Sequence, residues 1–309
     1  MIWGEEFFCN HSRFRSVYWP EGDRKMNAKL ISAFLVLTSA LALASTACGF
    51  EIPKAAEPEP EVTENISVPT PKEDNVSLKL SFGAGEMTLA PGAEQLVDGT
   101  ATYNYSAFKP VITAEGSNVQ VGMSEVDFNA FPTFNDLKNI WDLKLGNIPM
   151  DLTIEAGAYK GDFEFGGLAL NNLTVKDGAA DVTINFSEPN QTEMSVFQYE
   201  TGASDVKMNG LANANFGLMD FSSGAGDYTL DFSGDLKRDA SITISSGLSN
   251  VIIVVPEGVN AVITVDSGVS NINAGSSWEK NGNIYTQKGE GPTLTFVIEI
   301  GAGNVTITR

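Results

Sequence analysis

Two acidic side chains near the middle of the sequence have the spacing of a catalytic pair. Asp162 and Glu164 are separated by one residue in an alternating segment, so both point to the same face of the predicted strand. Paired carboxylates carry out general acid–base chemistry in enzymes that cleave polysaccharides. The sequence therefore leaves open a carboxylate-dependent enzyme acting on glycans. The competing interpretation is a solvated strand face, as expected in a chain with a net charge of −20 at pH 7.

Most other catalytic chemistry is excluded by residue types that the body of the chain lacks. The only histidine is His11, and the only cysteines are Cys9 and Cys48. The chain beyond them therefore has no Ser-His-Asp or Cys-His catalysis, no zinc site of the usual kind and no disulfide. There is no phosphate-binding loop, dinucleotide fingerprint or Gly-x-Ser-x-Gly elbow. We expect no cofactor and no catalytic residue, and the acidic surface argues against nucleic acid as a partner.

A recurring row of Asp and Asn residues raises the question of calcium. These residues each follow a glycine by three positions, and they are Asp181, Asp205, Asp227, Asn250, Asn271 and Asn304. Stacked coils would place the first five in one line. Calcium requires six to eight oxygen ligands, whereas each coil offers one side chain here, and the nonapeptide calcium-binding repeat is missing. We therefore expect structural turns in which these side chains bond nearby backbone amides, with calcium as the alternative.

Two aromatic residues flank an Asn-Gly pair near the C-terminus and could form a binding surface. Asn281-Gly282 is a strong hairpin signal, and it lies between Trp278 and Tyr285. If exposed, the two rings would form a platform for a glycan or a protein. The other interpretation, which we favour, is a cap that packs both rings over the last coil of a repeat structure.

The elements that must position these residues are short strands arranged in a repeat. The phrase that starts each repeat recurs at intervals of 21 to 24 residues, with one longer interval at the end, and its glycines are Gly157, Gly178, Gly202, Gly224, Gly247, Gly268 and Gly301. Period-two alternation precedes and follows each glycine, which indicates strands. One repeat is therefore strand, tight glycine turn, strand and corner, with the glycine free to take positive φ. The sequence predicts an all-β, single-domain, single-stranded β-solenoid of about 22-residue coils.

Ten short segments of the chain carry a resemblance to a known family: 141–145, 149–152, 157–158, 173–182, 189–190, 210–214, 224–232, 255–259, 278–285 and 301–305. Together they resemble the toast-rack domain of LiaF-type envelope-stress proteins and adhesin-like proteins. The resemblance covers roughly residues 76–309. It implies a right-handed, single-stranded β-solenoid in a cell-envelope protein, and it brings no catalytic residues with it. The chain lacks the multiple transmembrane helices of LiaF-type proteins.

The N-terminal quarter carries signals of export and anchoring. Residues 26–47 have a short basic start and an apolar run that ends in Ser45-Thr46-Ala47-Cys48, which is typical of a lipoprotein signal peptide with Cys48 as the lipidated residue. A plain signal peptide with a stray cysteine is the alternative. Residues 1–25 are interpreted as a spurious extension of the gene, or else as a long n-region. Residues 48–75 are rich in Pro and Glu and are predicted to be a disordered linker, with the solenoid over 76–309.

The function expected from these features is that of a lipid-anchored, extracytoplasmic protein that binds or scaffolds at the cell envelope without catalysis. Its partners would be the membrane, through the lipid on Cys48, and an envelope protein or cell-wall glycan. Two alternatives remain open: a sensor or accessory subunit of a cell-envelope stress system, and the polysaccharide-active enzyme that Asp162 and Glu164 would serve.

Overall fold

The computed structural model describes residues 57–72, 75–123 and 136–309. They belong to the second of two compact units, Pro53–Arg309. The predicted signal peptide, the N-terminal extension, Cys48 and residues 48–56 and 73–74 of the linker lie outside the described residues. Within the described ranges, no helix has the length and apolar character needed to cross a membrane.

The described residues form fifteen strands and two short 3-10 turns, Ser106–Phe108 and Leu211–Ala214. The strands are β1 (Val62–Val68), β2 (Val76–Pro91), β3 (Val97–Tyr103), β4 (Pro110–Glu115), β5 (Asn118–Met123), β6 (Asn139–Leu145), β7 (Met150–Glu164), β8 (Leu170–Asn185), β9 (Met194–Asn209), β10 (Phe216–Asp231), β11 (Ala240–Val254), β12 (Val259–Ala274), β13 (Glu279–Asn281), β14 (Ile284–Gln287) and β15 (Glu290–Thr308). All belong to one sheet, in the order β1-β3-β6-β2-β7-β8-β9-β10-β11-β15-β12-β14-β13, with β5 on β2 and β4 on β5. The predicted all-β repeat fold is confirmed.

The core consists of apolar ladders that run through the parallel stack from β7 to β12. One ladder joins register partners on seven strands, all buried: Leu152, Leu173, Phe197, Met219, Ile242, Phe296 and Ile263. Equivalent residues stack because every strand places the same repeat position inward, and burial of each such side chain contributes roughly 1.5–3 kcal/mol. The period-two alternation of the sequence therefore becomes the core of the solenoid.

The recurring glycine lies inside a continuous strand, where the sequence predicted a tight turn between two strands. In β8 the last two buried side chains before the glycine are Val175 and Asp177, whereas the two after it are Val182 and Ile184. The change from odd to even positions means that the backbone changes direction at Gly178, so that both halves of the strand face the same core. The ladder of register partners continues on either side of the glycine.

The physical role of these glycines also differs from the predicted one. None of the seven has a positive φ. Instead, a Cβ on Gly202 would lie 2.4 Å from the carbonyl oxygen of Gly178, and a Cβ on Gly224 would lie 2.5 Å from that of Gly202. Glycine is required because the neighbouring coil approaches too closely for any side chain. The glycines thus form a row in which each makes room for the next.

The order of the last coils differs from the predicted sequential stacking. Strand β15 inserts between β11 and β12 and is parallel to both. The reason lies in the hairpin β13–β14, which covers one edge of β12 at Ala261–Thr264. Strand β15 can therefore pair along the whole length of β12 only on the side that faces β11. As a result Gly301 lies on Gly247, and Gly268 lies on Gly301.

The ordered body also begins earlier than predicted. Residues 62–68 fall within the segment assigned to the linker, yet they form β1, which pairs with β3 in antiparallel fashion. Ile66 and Val68 are buried on alternate positions of this strand. The proline-rich and acidic composition of residues 48–75 concealed this short alternation.

Candidate functional site

The predicted Asp and Asn row exists, and three of its side chains, those of Asp227, Asn250 and Asn304, are joined by hydrogen bonds across coils. Register pairing gives the order Asp181, Asp205, Asp227, Asn250, Asn304 and Asn271. The Nδ2 of Asn250 donates to Oδ1 of Asp227 at 2.6 Å, and the Nδ2 of Asn304 donates to Oδ1 of Asn250 at 2.6 Å. In the described ranges, no group of three or more His, Cys, Asp or Glu residues is arranged to hold a metal ion. The two hydrogen bonds link three neighbouring strands, β10, β11 and β15, on the exposed side of the row.

The carboxylates of Asp162 and Glu164 have different surroundings. Asp162 is exposed, whereas Glu164 is half-buried at the end of β7. The Oε1 of Glu164 accepts hydrogen bonds from the backbone amides of Gly166, at 2.6 Å, and Ser187, at 3.1 Å. Those amides belong to corners that would otherwise leave donors without a partner. The side chain of Glu164 therefore satisfies the backbone amides of two corners, which is a structural role.

The aromatic rings of Trp278 and Tyr285 are buried, so they do not form the exposed platform that the sequence left open. Trp278 is 7% exposed and Tyr285 is 2% exposed, and both pack in the main core. Tyr285 pairs with Ile263 of β12, and the Nζ of Lys280 lies 5.2 Å from the centre of its ring. The hairpin β13–β14 is a cap over the first half of β12.

A buried polar cluster around Asp177 was not predicted. Tyr199 donates to Oδ2 of Asp177 at 2.7 Å, Thr201 donates to Oδ1, and Ser204 donates to Oδ1 at 3.2 Å. Tyr159 lies at 3.5 Å from Oδ2. All of these side chains are less than 10% exposed. Hydroxyl donors on adjacent coils thus compensate for the burial of a carboxylate.

The same cluster changes the ionisation of two phenols. Burial raises the pKa of Tyr199 far above its ordinary value of 10, and the nearby Tyr159 and Asp177 raise it further. Burial, followed by the charge of Asp177, also raises the pKa of Tyr159. Both phenols are therefore hydrogen-bond donors at neutral pH. In the sequence, the only sign of this cluster is that Asp177 directly precedes a repeat glycine at a position where four of the other six coils carry Thr or Ser.

A groove rich in hydroxyl groups lies beside the glycine row at the C-terminal coils. We call it the serine groove and define it by its polar lining: Ser222, Ser223, Ser245, Ser246, Asp266 and Glu299. Its volume is about 610 Å³. Register pairs align the residues into two rows, one of which runs Ser222, Ser245, Glu299, Asp266 across four strands. The sequence signal was the repeated Ser-Ser-Gly at 222–224 and 245–247.

The hydroxyl groups in the serine groove bond to one another. Ser223 donates to Ser246 at 2.8 Å, and Ser246 donates to Ser249 at 2.7 Å. The lining contains no lysine, histidine or tyrosine that could activate a serine as a nucleophile. The exposed carboxylates of Asp266 and Glu299 form no ion pair with another described residue. The groove thus offers hydroxyl donors and acceptors beside two free carboxylates, which suits hydrogen bonding to a polar ligand.

Part of the chain matches the model of a known family. Residues 57–198 match the sequence model of the N-terminal domain of toast_rack. No curated protein matches the chain. Among solved structures, the chain is similar to a protein from Clostridium sporogenes provisionally named a cell adhesion protein, with 19% identity and a TM-score of 0.45 over 82% of this chain and 99% of that one.

Two structures from Parabacteroides distasonis are also similar to the chain, each at 10% identity. One is provisionally named an adhesin, with a TM-score of 0.34 over 80% of this chain and 97% of that one. The other is provisionally named a lipid binding protein, with a TM-score of 0.36 over 79% of this chain and 96% of that one. The family match rests on the sequence model, which spans β1 to the first half of β9. Residues 57–198 of this chain match the toast-rack N-terminal domain, and over these residues the resemblance seen in the sequence is confirmed.

Proposed function

We propose that this chain is a non-catalytic binding protein of the cell envelope, anchored to the membrane by a lipid on Cys48, with the serine groove as its ligand-binding surface. The proposed ligand is cell-wall glycan, whose hydroxyl groups can both donate to and accept from serine hydroxyls and can donate to the carboxylates of Asp266 and Glu299. The observation that carries the proposal is the groove itself: aligned hydroxyls and carboxylates on a rigid ladder, with no base beside a nucleophile.

The surroundings of Glu164 support a binding function over a catalytic one. A general acid in a glycosidase needs a carboxyl group that keeps its proton near neutral pH. Glu164 instead accepts hydrogen bonds from two backbone amides, so its carboxylate is engaged in holding two corners of the fold. We therefore expect the double variant Asp162→Asn, Glu164→Gln to leave any glycan-related activity of the chain unchanged.

The strand order supports anchoring through the N-terminus. Strand β1, the first element after the proposed tether, lies at one end of the order, whereas Asp266 of the serine groove lies on β12, near the other end. A lipid on Cys48 would therefore hold the protein by the end that lies away from the groove. The groove would remain accessible to polymers outside the membrane.

Cosedimentation with purified cell-wall sacculi tests the groove. Ser245→Leu places an apolar side chain in the middle of the groove, and we expect it to weaken binding at least about tenfold, because each lost polar contact and each displaced ligand hydroxyl is costly. The matched control is Ser241→Leu, on the same outward face of β11 but outside the groove. Equal binding by the wild type and both variants, or no binding by any of them, would contradict the proposal.

A further inference from the structure

The second half of β12 has a free edge that differs from the other free edges of the sheet. Pairing with β14 stops at Thr264, and the backbone amide of Val265 donates to Asn283. From residue 266 to residue 274, β12 pairs with β15 on one side and with no described strand on the other. This open segment ends the parallel stack.

The other free edges among the described strands are β1, β4 and β13, and each carries a feature that hinders pairing with another chain. Strand β1 contains Glu64, β4 begins with Pro110 and ends with Glu115, and β13 has three residues, two of them charged. Natural sheets use charge, proline and short length at edges for this purpose. The segment 267–274 of β12 has no charged residue and no proline. Among the free edges of the described strands, the segment 267–274 is therefore the one without such protection.

The core beneath this edge is also incomplete. Ile272 occupies the repeat position at which Val251 and Val305 are 1% and 0% exposed, yet Ile272 and Ala274 are only partly buried where they pack against the core. The hydroxyl of Ser270, on the same inward face, is buried and has no hydrogen-bond partner among the described residues. A further strand over residues 270–274 would cover this apolar surface and the free backbone groups.

The N-terminal tether of the same chain cannot supply that strand in the processed form expected from the sequence. Glu59 is fixed beside β3 by a backbone hydrogen bond to Asn104. From Cys48 to Glu59 the chain can span roughly 40 Å at full extension. Ten strand spacings of about 4.8 Å, or roughly 48 Å, separate β1 from β12 in the strand order. The processed tether is therefore too short to reach this edge of its own molecule.

We propose that the occupant is the same segment of a second copy of this chain, and that residues 270–274 of two copies pair in antiparallel fashion about a twofold axis at Ile272. This register places inward residues opposite inward residues, so that Ile272 meets Ile272 of the second copy and Ser270 meets Ala274. On the outer face, Asn271 lies opposite Asn273, and amides of opposite strands can bond to each other. The segment is self-complementary.

Charge does not oppose this pairing at the edge, although the chain as a whole is strongly acidic. The nearest carboxylate on β12 is Asp266, and an antiparallel arrangement puts the two copies of Asp266 at opposite ends of the interface. They are then farther apart than the Debye length of about 10 Å at 0.1 M salt.

The dimer joins the two molecules by their C-terminal coils and leaves each β1 at the far end. Dimer formation goes beyond the proposed glycan binding and does not depend on it.

Sedimentation equilibrium of the purified, processed protein at about 1–200 μM and 0.1 M salt measures the association, a range set by the modest size of a five-residue strand pair. We expect a concentration-dependent dimer in the wild type. The double variant Asn271→Lys, Asn273→Lys places lysines opposite lysines, and we expect its dissociation constant to rise at least about tenfold, because like charges directly opposite destabilise a strand pair. The control variant Thr183→Lys, Thr229→Lys adds the same two positive charges, but on the interior strands β8 and β10. Its lysines lie in the row of register partners that already contains Lys207 of β9, away from the free edge of β12.

A charge-reversed partner separates loss of pairing from loss of folding. The variant Asn271→Glu, Asn273→Glu is expected to be monomeric alone and to form a heterodimer when mixed with the lysine variant. A wild type that stays monomeric over the whole range overturns the inference. So does a lysine variant that dimerises as tightly as the wild type, or a mixture that fails to form heterodimers.

Discussion

At the scale of the residue, the glycine row sets a steric condition that follows from the close approach of neighbouring coils. Gly202→Ala would place a Cβ 2.4 Å from the carbonyl oxygen of Gly178, whereas Gly178→Ala would place one 3.0 Å from that of Gly157. We expect Gly202→Ala to lower the free energy of unfolding by about 2–3 kcal/mol and Gly178→Ala to lower it by less, because backbone atoms must shift further in the first case. Urea denaturation of both variants measures this. Identical stabilities would mean that close approach is not the role of the row.

The buried phenol of Tyr199 gives stability a dependence on alkaline pH. Its pKa is raised in the folded state above the ordinary value of 10, so its contribution is fully present below pH 10 and is lost as pH rises through the folded pKa. Above pH 10, each such tyrosine lowers the free energy of unfolding by about 1.4 kcal/mol per pH unit. In Tyr199→Phe, we expect the free energy of unfolding to fall less steeply above pH 10, by about this amount per pH unit. At neutral pH, we expect the same variant to be less stable than the wild type by about 1 kcal/mol, because the hydrogen bond to Asp177 is lost.

The control for this pH dependence is Thr201→Val. It also removes a hydrogen bond to Asp177 but no titrating group. Denaturation curves at several pH values between about 9 and 11 distinguish the two variants, and this range brackets the unperturbed pKa of tyrosine. The same pH dependence for Tyr199→Phe and Thr201→Val would contradict the assignment.

The sequence was informative about which residues repeat, and less informative about how each side chain is used. The positions of the glycines and of the Asp and Asn residues were evident, because equal spacing identifies equivalent rungs. Their partners were not evident, because the hydrogen bond between Asn250 and Asp227 joins two coils that are distant in sequence. Trp278 and Tyr285 show the same limit: their spacing predicted a hairpin, but only the packing decided between a cap and an exposed platform.

At the scale of the element, the hairpin β13–β14 decides how the C-terminal coils assemble. It covers the first half of β12, and β15 then fills the space between β12 and β11. The sequence predicted the repeat in β15 but not its place, because a parallel strand has the same inward pattern whichever neighbour it joins. The longer interval between Gly268 and Gly301 was the only sign of an irregularity.

The cap should therefore contribute substantially to stability. Trp278 is 7% exposed, and we expect Trp278→Ala to lower the free energy of unfolding by about 3–5 kcal/mol, as for other large aromatic side chains removed from a core. Ile284→Ala on the same hairpin is the control, since Ile284 is 38% exposed, and a smaller loss is expected. Thermal and urea denaturation provide the measurement. An unchanged stability in Trp278→Ala would restore the interpretation of an exposed binding surface.

At the scale of the whole molecule, the strand order gives the two ends of the body different properties. The N-terminal end carries β1, Glu64 and the connection to the proposed tether, whereas the C-terminal coils carry the serine groove and the unprotected half of β12. A body attached at one end and available for binding at the other suits a role at a surface. The acidic composition, with a net charge of −20, also disfavours contact of the body with anionic lipid and nucleic acid.

The central claim is that the chain is held at the cell envelope through Cys48. The most direct measurement is the intact mass of the protein purified from the membranes of the cells that produce it, together with fractionation of a Cys48→Ala variant. The account predicts a mature chain that begins at Cys48 and carries a lipid. It also predicts that the Cys48→Ala variant is no longer found in the membrane fraction that detergent solubilises. A mature protein that begins elsewhere without lipid, or a Cys48→Ala variant that stays in the membrane as the wild type does, would contradict it.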